Sequence, residues 1–243
     1  DKMNYLIVSP VRSGSTWLNL TLAKHLNLTN VGEALCKISP TLVMNAANDP
    51  ANFTSQLAND DTDLRKLDRA ELIIDLLSKR PFVAKITPWD LYDSDDEKYG
   101  ELGGGLGYEF DKFKEYVKPL TTIFLYRKNL LEHYISFWGV HRTGVMNTYS
   151  RFMNYKRPRI KYTQEELDLY LAHRQIWEQC YKDHSHNFDY TISYEELFKM
   201  DELCGVPLKQ YHEEFTLKLN SYTEEELEEC KQQTGLEDNY EIC

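Results

Sequence analysis

Several common signatures are missing from this sequence. No run of about 18 apolar residues occurs, so no helix is expected to cross a membrane. Positive charge is scarce: 28 Lys and Arg stand against 39 Asp and Glu, a formal net charge of −11. That balance argues against a general nucleic-acid binder, which needs a cationic face to neutralise phosphates. It leaves room for a small anionic ligand, which needs only a few local donors. The five cysteines, Cys36, Cys180, Cys204, Cys230 and Cys243, are odd in number and contain no CxxC pair. Neither a zinc site nor a dense disulfide frame is suggested, and reduced thiols in a cytoplasmic protein are expected. No signal peptide is visible, with Met3 a candidate natural start. No cluster has convincing metal-ligand spacing.

What is present suits one globular domain over residues 1–243, with 42% hydrophobic, 28% charged and 13% aromatic residues. Four short β-rich runs stand out: Tyr5 to Ser9, Phe82 to Thr87, Thr121 to Tyr126 and Phe188 to Ser193. The first and third are almost wholly apolar, as strands buried on both faces are. Helical periodicity fills the intervals: Ser15 to Leu26, Leu64 to Ser78, Asn129 to Val140, Thr163 to Tyr181 behind a Thr163-x-x-Glu166 box, and Thr223 to Gln233. Strands alternating with helices predict a three-layer α/β fold. Its centre is a mostly parallel sheet of about 4–5 strands, with helices on both faces. Such sheets bind ligands beyond the carboxyl ends of their strands.

The residues at those ends are chemically distinctive. After the first strand comes Pro10-Val11-Arg12-Ser13-Gly14-Ser15-Thr16-Trp17, which opens the first helix. A helix N-terminus offers unpaired N–H groups and partial positive charge, and anions settle there. Gly14 lets the backbone approach a phosphate. Ser13, Ser15 and Thr16 add hydroxyls, and Arg12 adds charged donors. The nucleoside triphosphate loop GxxxxGK[ST] is not matched, since its lysine is missing, which disfavours a kinase or ATPase.

A second polar group follows the third strand in Arg127-Lys128-Asn129 and continues to Ser136. Seven residues separate Asn129 from Ser136, placing both on one face of the predicted helix, ~10 Å apart along its axis. A strand-end Arg and a helical Ser suit a second phosphate. Alone, they suit a surface serine and a basic helix start equally well. Lys85 interrupts an apolar strand and is costly to bury unpaired, unless that strand is an edge where a charge guards against aggregation. The stretch 93–107 is acidic, then glycine-rich, and reads as a loop or lid. The basic stretch Arg151 to Lys161 reads as a solvated loop or as a wall facing an anionic substrate.

Taken together, PxRSGSTWL and the Arg127 to Ser136 spacing resemble the PAPS-dependent sulfotransferases, in particular their bacterial and carbohydrate-type branches. Ile192-Ser193-Tyr194-Glu195-Glu196-Leu197 is similar to that family's late YExL segment. The resemblance implies a P-loop NTPase-like sulfotransferase fold with 3′-phosphoadenosine 5′-phosphosulfate (PAPS) as co-substrate and its bisphosphate, PAP, as product. It implies no metal. It also implies that Arg12, Ser13, Gly14, Ser15 and Thr16 grip the 5′-phosphosulfate and that Trp17 packs against the nucleotide. Ser136 with Arg127 or Lys128, Arg127 being favoured, would bind the 3′-phosphate. Lys85 would lie near the sulfuryl group. Some relatives carry a base His where this chain has Thr87, so Glu33, after Gly32, is the candidate general base; a surface turn glutamate is the alternative. The arginine-lysine-glycine segment found late in many cytosolic small-molecule sulfotransferases is absent. The expected acceptor is a small molecule or glycan. A P-loop-like kinase and a nucleotide-binding regulatory module without turnover are the competing readings.

Overall fold

In the computed structural model, residues 3–33, 81–88, 114–115, 118–143, 162–209 and 223–243 are described. The predicted helix at 64–78, the glycine-rich stretch at 93–107, the basic stretch at 151–161 and Cys36 lie outside them.

The chain opens with β1 (Asn4–Val8), α1 (Ser15–Leu26) and β2 (Thr29–Glu33). It continues through β3 (Phe82–Ile86), β4 (Leu120–Tyr126), α2 (Leu130–Thr143) and α3 (Gln164–His184). After a short 3₁₀ turn (Ser185–Asn187) come β5 (Tyr190–Ser193) and the single-turn α4 (Tyr194–Leu197). A small hairpin, β6 (Glu202–Leu203) and β7 (Val206–Pro207), precedes α5 (Glu224–Thr234). Strands β1 to β5 form one sheet in the order β2-β3-β1-β4-β5, and every neighbouring pair is parallel.

Alternation along β1 divides the core in two. Leu6 and Val8 face one side, where they join Leu130, Leu131 and Tyr134 of α2, Tyr170 and Trp177 of α3, and Cys230 of α5. Tyr5 and Ile7 face the other, with Trp17, Leu18 and Leu22 of α1 and Leu203 and Val206 of the hairpin. Successive side chains in a strand point to opposite faces, so this split is what a sheet covered on both sides requires. The result is three layers, with α1 on one face and α2, α3 and α5 on the other. Asn4 knits the start of the sheet: its Nδ2 donates to the Pro119 carbonyl at 3.1 Å, and its Oδ1 accepts the Phe82 N–H at 3.1 Å.

Two expectations change. Glu33 is open to a surface-turn reading in the sequence, yet Thr29–Glu33 form a strand, the outermost on that side among the described residues, with a register irregularity between Asn30 and Gly32. The run Thr-Asn-Val-Gly-Glu shows no apolar alternation and little β propensity. Pairing with β3 holds it, as does the Asn19 Nδ2 bond to Asn30 Oδ1 at 2.8 Å from α1. β3 consequently lies inside the sheet, between β2 and β1, which removes the edge-strand explanation for Lys85.

Candidate functional site

The strand order has β1 at its centre, with β3 and β2 on one side and β4 and β5 on the other. Chain connections therefore leave β1 and β4 in opposite directions, and the carboxyl ends of these two strands are where sheets of this kind bind ligands. The loop from β1 to α1 sits there. Its backbone is unusual: Arg12 has φ 67° and Gly14 has φ 80°, both left-handed. Gly14 is also the N-cap of α1 and has no side chain with which to cap it, so among the described residues no N-cap hydroxyl or carboxylate occupies the first amides of that helix. By contrast Thr163, Ser193 and Thr223 cap α3, α4 and α5 through hydroxyls that accept main-chain N–H groups. Left-handed residues alternating with ordinary ones turn successive N–H groups into a concavity suited to an anion.

Side chains from three other elements converge on this loop. Arg12 Nε donates to Ser136 Oγ of α2 at 3.1 Å. Lys85 Nζ, from β3, donates to Thr16 Oγ1 at 2.8 Å. Tyr194, the first residue of α4, lies against Gly14. A Cβ there would stand 2.6 Å from Tyr194 Cδ2, so only glycine fits. The other face of the Tyr194 ring environment is Arg127, whose guanidinium carbon lies 4.3 Å from the ring centroid, within cation–π range. Burial raises the Tyr194 pKa, with Arg127 acting in the opposite direction.

Arg127 is buried and held by carboxylates as well, with Nη2 3.0 Å from Glu132 Oε2 and Nε 3.7 Å from Glu195 Oε1. Lys128 points elsewhere: its Nζ binds Glu196 at 2.9 Å and Glu241 at 2.6 Å, and hydrogen bonds to these two hold its pKa well above the usual value. The two adjacent cations are thus divided, Arg127 toward the loop and Lys128 toward the C-terminal segment. Glu195 also accepts the Lys128 N–H (2.9 Å) and the Asn129 N–H (3.1 Å) at the start of α2. Asn129 caps the same helix through Oδ1, which accepts the Glu132 N–H at 2.9 Å. Its side chain is therefore engaged as a helix cap. With these amides occupied, the α2 N-terminus is less open to an anion than the α1 N-terminus.

Ser13 Oγ is fully buried and lacks a hydrogen-bond partner among the described residues. An unsatisfied buried hydroxyl costs about 1–3 kcal/mol and calls for an explanation, of which an acceptor brought by a ligand is one. Together with the Gly14 cradle and the donor character of Arg12, Lys85 and Thr16, it gives this loop a donor set suited to a phosphate or sulfate ester. Ser15 is buried at the first position of α1. Trp17 is 6% exposed and packs on Phe198, with ring centroids 5.0 Å apart, within the core of the α1 face. Glu33 is the register partner of Lys85 in the neighbouring strand, which brings the proposed base position beside the lysine along the sheet. Its side chain lies outside the described atoms. Among the described residues no group of three or more His, Cys, Asp or Glu could hold a metal.

Sequence reasoning did not assign a role to Tyr194, Glu132, Glu195 or His133. The YExL resemblance flagged the segment that holds Tyr194 and Glu195, but their contacts with Gly14 and Lys128 span 180 and 67 residues and leave no local pattern.

The fold and the loop define an α/β protein with an anion-competent strand–loop–helix junction. No family model matches the chain, and no curated protein matches it. Among solved structures, the sulfotransferase domain from the curacin biosynthetic pathway is similar over 98% of this chain and 99% of that one, at 14% identity and a TM-score of 0.48.

Proposed function

We propose that the protein is a sulfotransferase that uses PAPS to sulfate a hydroxyl of a carbohydrate or other hydroxylated metabolite. The observation that carries this reading is the convergence of Arg12, Ser136, Lys85 and Thr16 on the Gly14-capped N-terminus of α1. The motif resemblance supplies the nucleotide. When bound, PAPS would supply an activated sulfuryl group on a phosphate leaving group.

The chain's own residues suit the rest. The α1 amides, Arg12, Ser13 and Thr16 offer positive potential and donors where negative charge grows on a departing phosphate oxygen, and exclusion of water would strengthen them. Lys85 reaches the same loop from β3 and is positioned to neutralise charge on the group in transit. Arg127 and Ser136 supply the second cation and hydroxyl for the 3′-phosphate. Ser136, bonded to Arg12, would join the two phosphate sites in this reading. Glu33 takes the proton of the attacking hydroxyl in this reading, consistent with its register beside Lys85. Like phosphoryl transfer, the reaction asks mainly for positioning and electrostatic stabilisation.

Calorimetry with PAP and ATP tests the nucleotide. PAP is expected to bind, ATP to bind at least tenfold more weakly, and R12E and R127E each to lose PAP affinity. Equal affinities, or charge reversals without effect, would sink the proposal. An acceptor screen with labelled PAPS tests turnover. Glu33→Gln is expected to abolish transfer while leaving PAP affinity in place; full activity in that variant would exclude Glu33 as the base.

A further inference from the structure

His133 stands on α2 one turn before Ser136, on the face that meets the β1–α1 loop. It is 2% exposed. Its Nε2 lies 2.7 Å from the Val11 carbonyl oxygen, the residue just ahead of Arg12. A carbonyl only accepts, so Nε2 carries the proton. A neutral ring has a single N–H, which makes Nδ1 the acceptor. Its neighbour is Tyr170 Oη, at 3.1 Å, and that hydroxyl donates to it. Leu130 O, at 3.2 Å from the same hydroxyl, is a second acceptor within its reach. Burial, reinforced by Arg127, pushes the His133 pKa down to about 3, which keeps the ring neutral. The Val11 carbonyl thus selects the tautomer and Tyr170 backs it at Nδ1, with the two rings held edge-on and their centroids 5.5 Å apart.

The consequence falls on the loop. In a trans peptide the C=O and the following N–H point in opposite directions. Holding the Val11 carbonyl toward α2 therefore turns the Arg12 N–H away from α2. Arg12 also carries a left-handed φ of 67°. That conformation costs a non-glycine residue on the order of 1–2 kcal/mol and persists only where neighbours impose it. α2 supplies two such restraints, His133 on the carbonyl before Arg12 and Ser136 on the Arg12 side chain. They are three residues apart and so lie on one helical face.

We propose that His133 is a positioning residue for the anion-binding loop: oriented by Tyr170, it anchors the Val11 carbonyl and presets the Arg12 to Ser15 backbone before a ligand arrives. The identity of the anion rests on the sulfotransferase reading; the preset loop does not.

Amide hydrogen exchange and calorimetry with PAP on wild type, H133Q, H133F and Y170F test it. The exchange of residues 11–15 is compared with that of the β6–β7 hairpin, which belongs to the opposite face. In H133F, loop exchange is expected to rise about tenfold relative to the hairpin, with a similar loss of PAP affinity, as one buried hydrogen bond warrants. H133Q retains a side-chain N–H able to reach the carbonyl and is expected to restore most of both. Y170F removes the hydrogen bond at Nδ1 and loosens the ring while the Val11 carbonyl still selects the tautomer, and a smaller rise confined to the loop is expected.

Unchanged loop exchange in H133F overturns the inference. So does an H133Q loop as open as that of H133F, which would assign the effect to packing. If H133F does not fold, Y170F decides by the same criterion. If wild type fails to bind PAP, the sulfotransferase reading falls alone, and the exchange comparison still supports or overturns the role of His133.

Discussion

Gly14 meets two independent demands. Its φ of 80° favours a residue without Cβ, and the Tyr194 ring occupies the space a Cβ would fill, at 2.6 Å. Tyr194 has little room to retreat, since Phe198 lies 4.7 Å from it, centroid to centroid, and Arg127 covers the ring. Gly205 shares the positive φ, 78°, but nothing lies within 4 Å of its missing Cβ. The pair separates backbone strain from crowding. Gly205→Ala is expected to cost about 1 kcal/mol, and Gly14→Ala about 2–4 kcal/mol with loss of PAP binding, measured by urea denaturation and calorimetry. Equal costs would show that Tyr194 yields freely. At this scale the loop was legible in advance, because Arg12 to Trp17 are neighbours in sequence and their chemistry is local. The partners that shape the loop were not: Ser136 was placed in a separate site, and Tyr194 lies 180 residues from Gly14.

Among the elements, the start of α2 shows how tertiary contacts overrule periodicity. Asn129 fits the helical repeat that leads to Ser136, and its side chain is taken up by capping that helix. The chain needs a cap there because the first amides of a helix have no internal acceptors. Glu195 of α4 completes the job by accepting two main-chain N–H groups and by standing 3.7 Å from Arg127. Glu195→Ala is therefore expected to lower stability by about 1–3 kcal/mol, since it leaves partly buried donors unpaired. It should also disturb Arg127, so PAP affinity is expected to change with it. A variant as stable as wild type in thermal denaturation would show that water replaces the carboxylate without loss. β2 was missed for a related reason. Its residues carry no strand pattern, and its pairing with β3 comes from a partner about fifty residues further along the chain. The four strands with apolar runs, by contrast, were each found to within two residues at either end.

For the whole molecule, the buried neutral His133 makes folding pH-dependent. Its folded pKa, about 3, lies below the ordinary 6.5. Between those values the unfolded chain binds a proton that the folded chain refuses. The associated stability is complete above pH ~6.5 and is lost as pH falls toward ~3. Glu196, held below its ordinary value first by its hydrogen bond to Lys128, adds a loss of the same sign at lower pH. Urea denaturation at pH 7 and pH 5 is expected to show a drop of about 2 kcal/mol from His133. The H133Q variant is expected to lack that slope; an identical slope would place its origin in other groups. The layering that surrounds this histidine was expected from the alternation of strands and helices, and it is observed in the division of the core between the two sides of β1.

The junction after β1 touches every layer at once. It emerges from the middle strand, becomes a helix on one side, and is gripped through Val11 and Arg12 by a helix on the other. Such a junction acts as a rivet through a laminate. A ligand seated on it would clamp both outer sheets of helix to the centre together, so protection from proteolysis on binding should spread to distant turns of both helical layers, in step with occupancy.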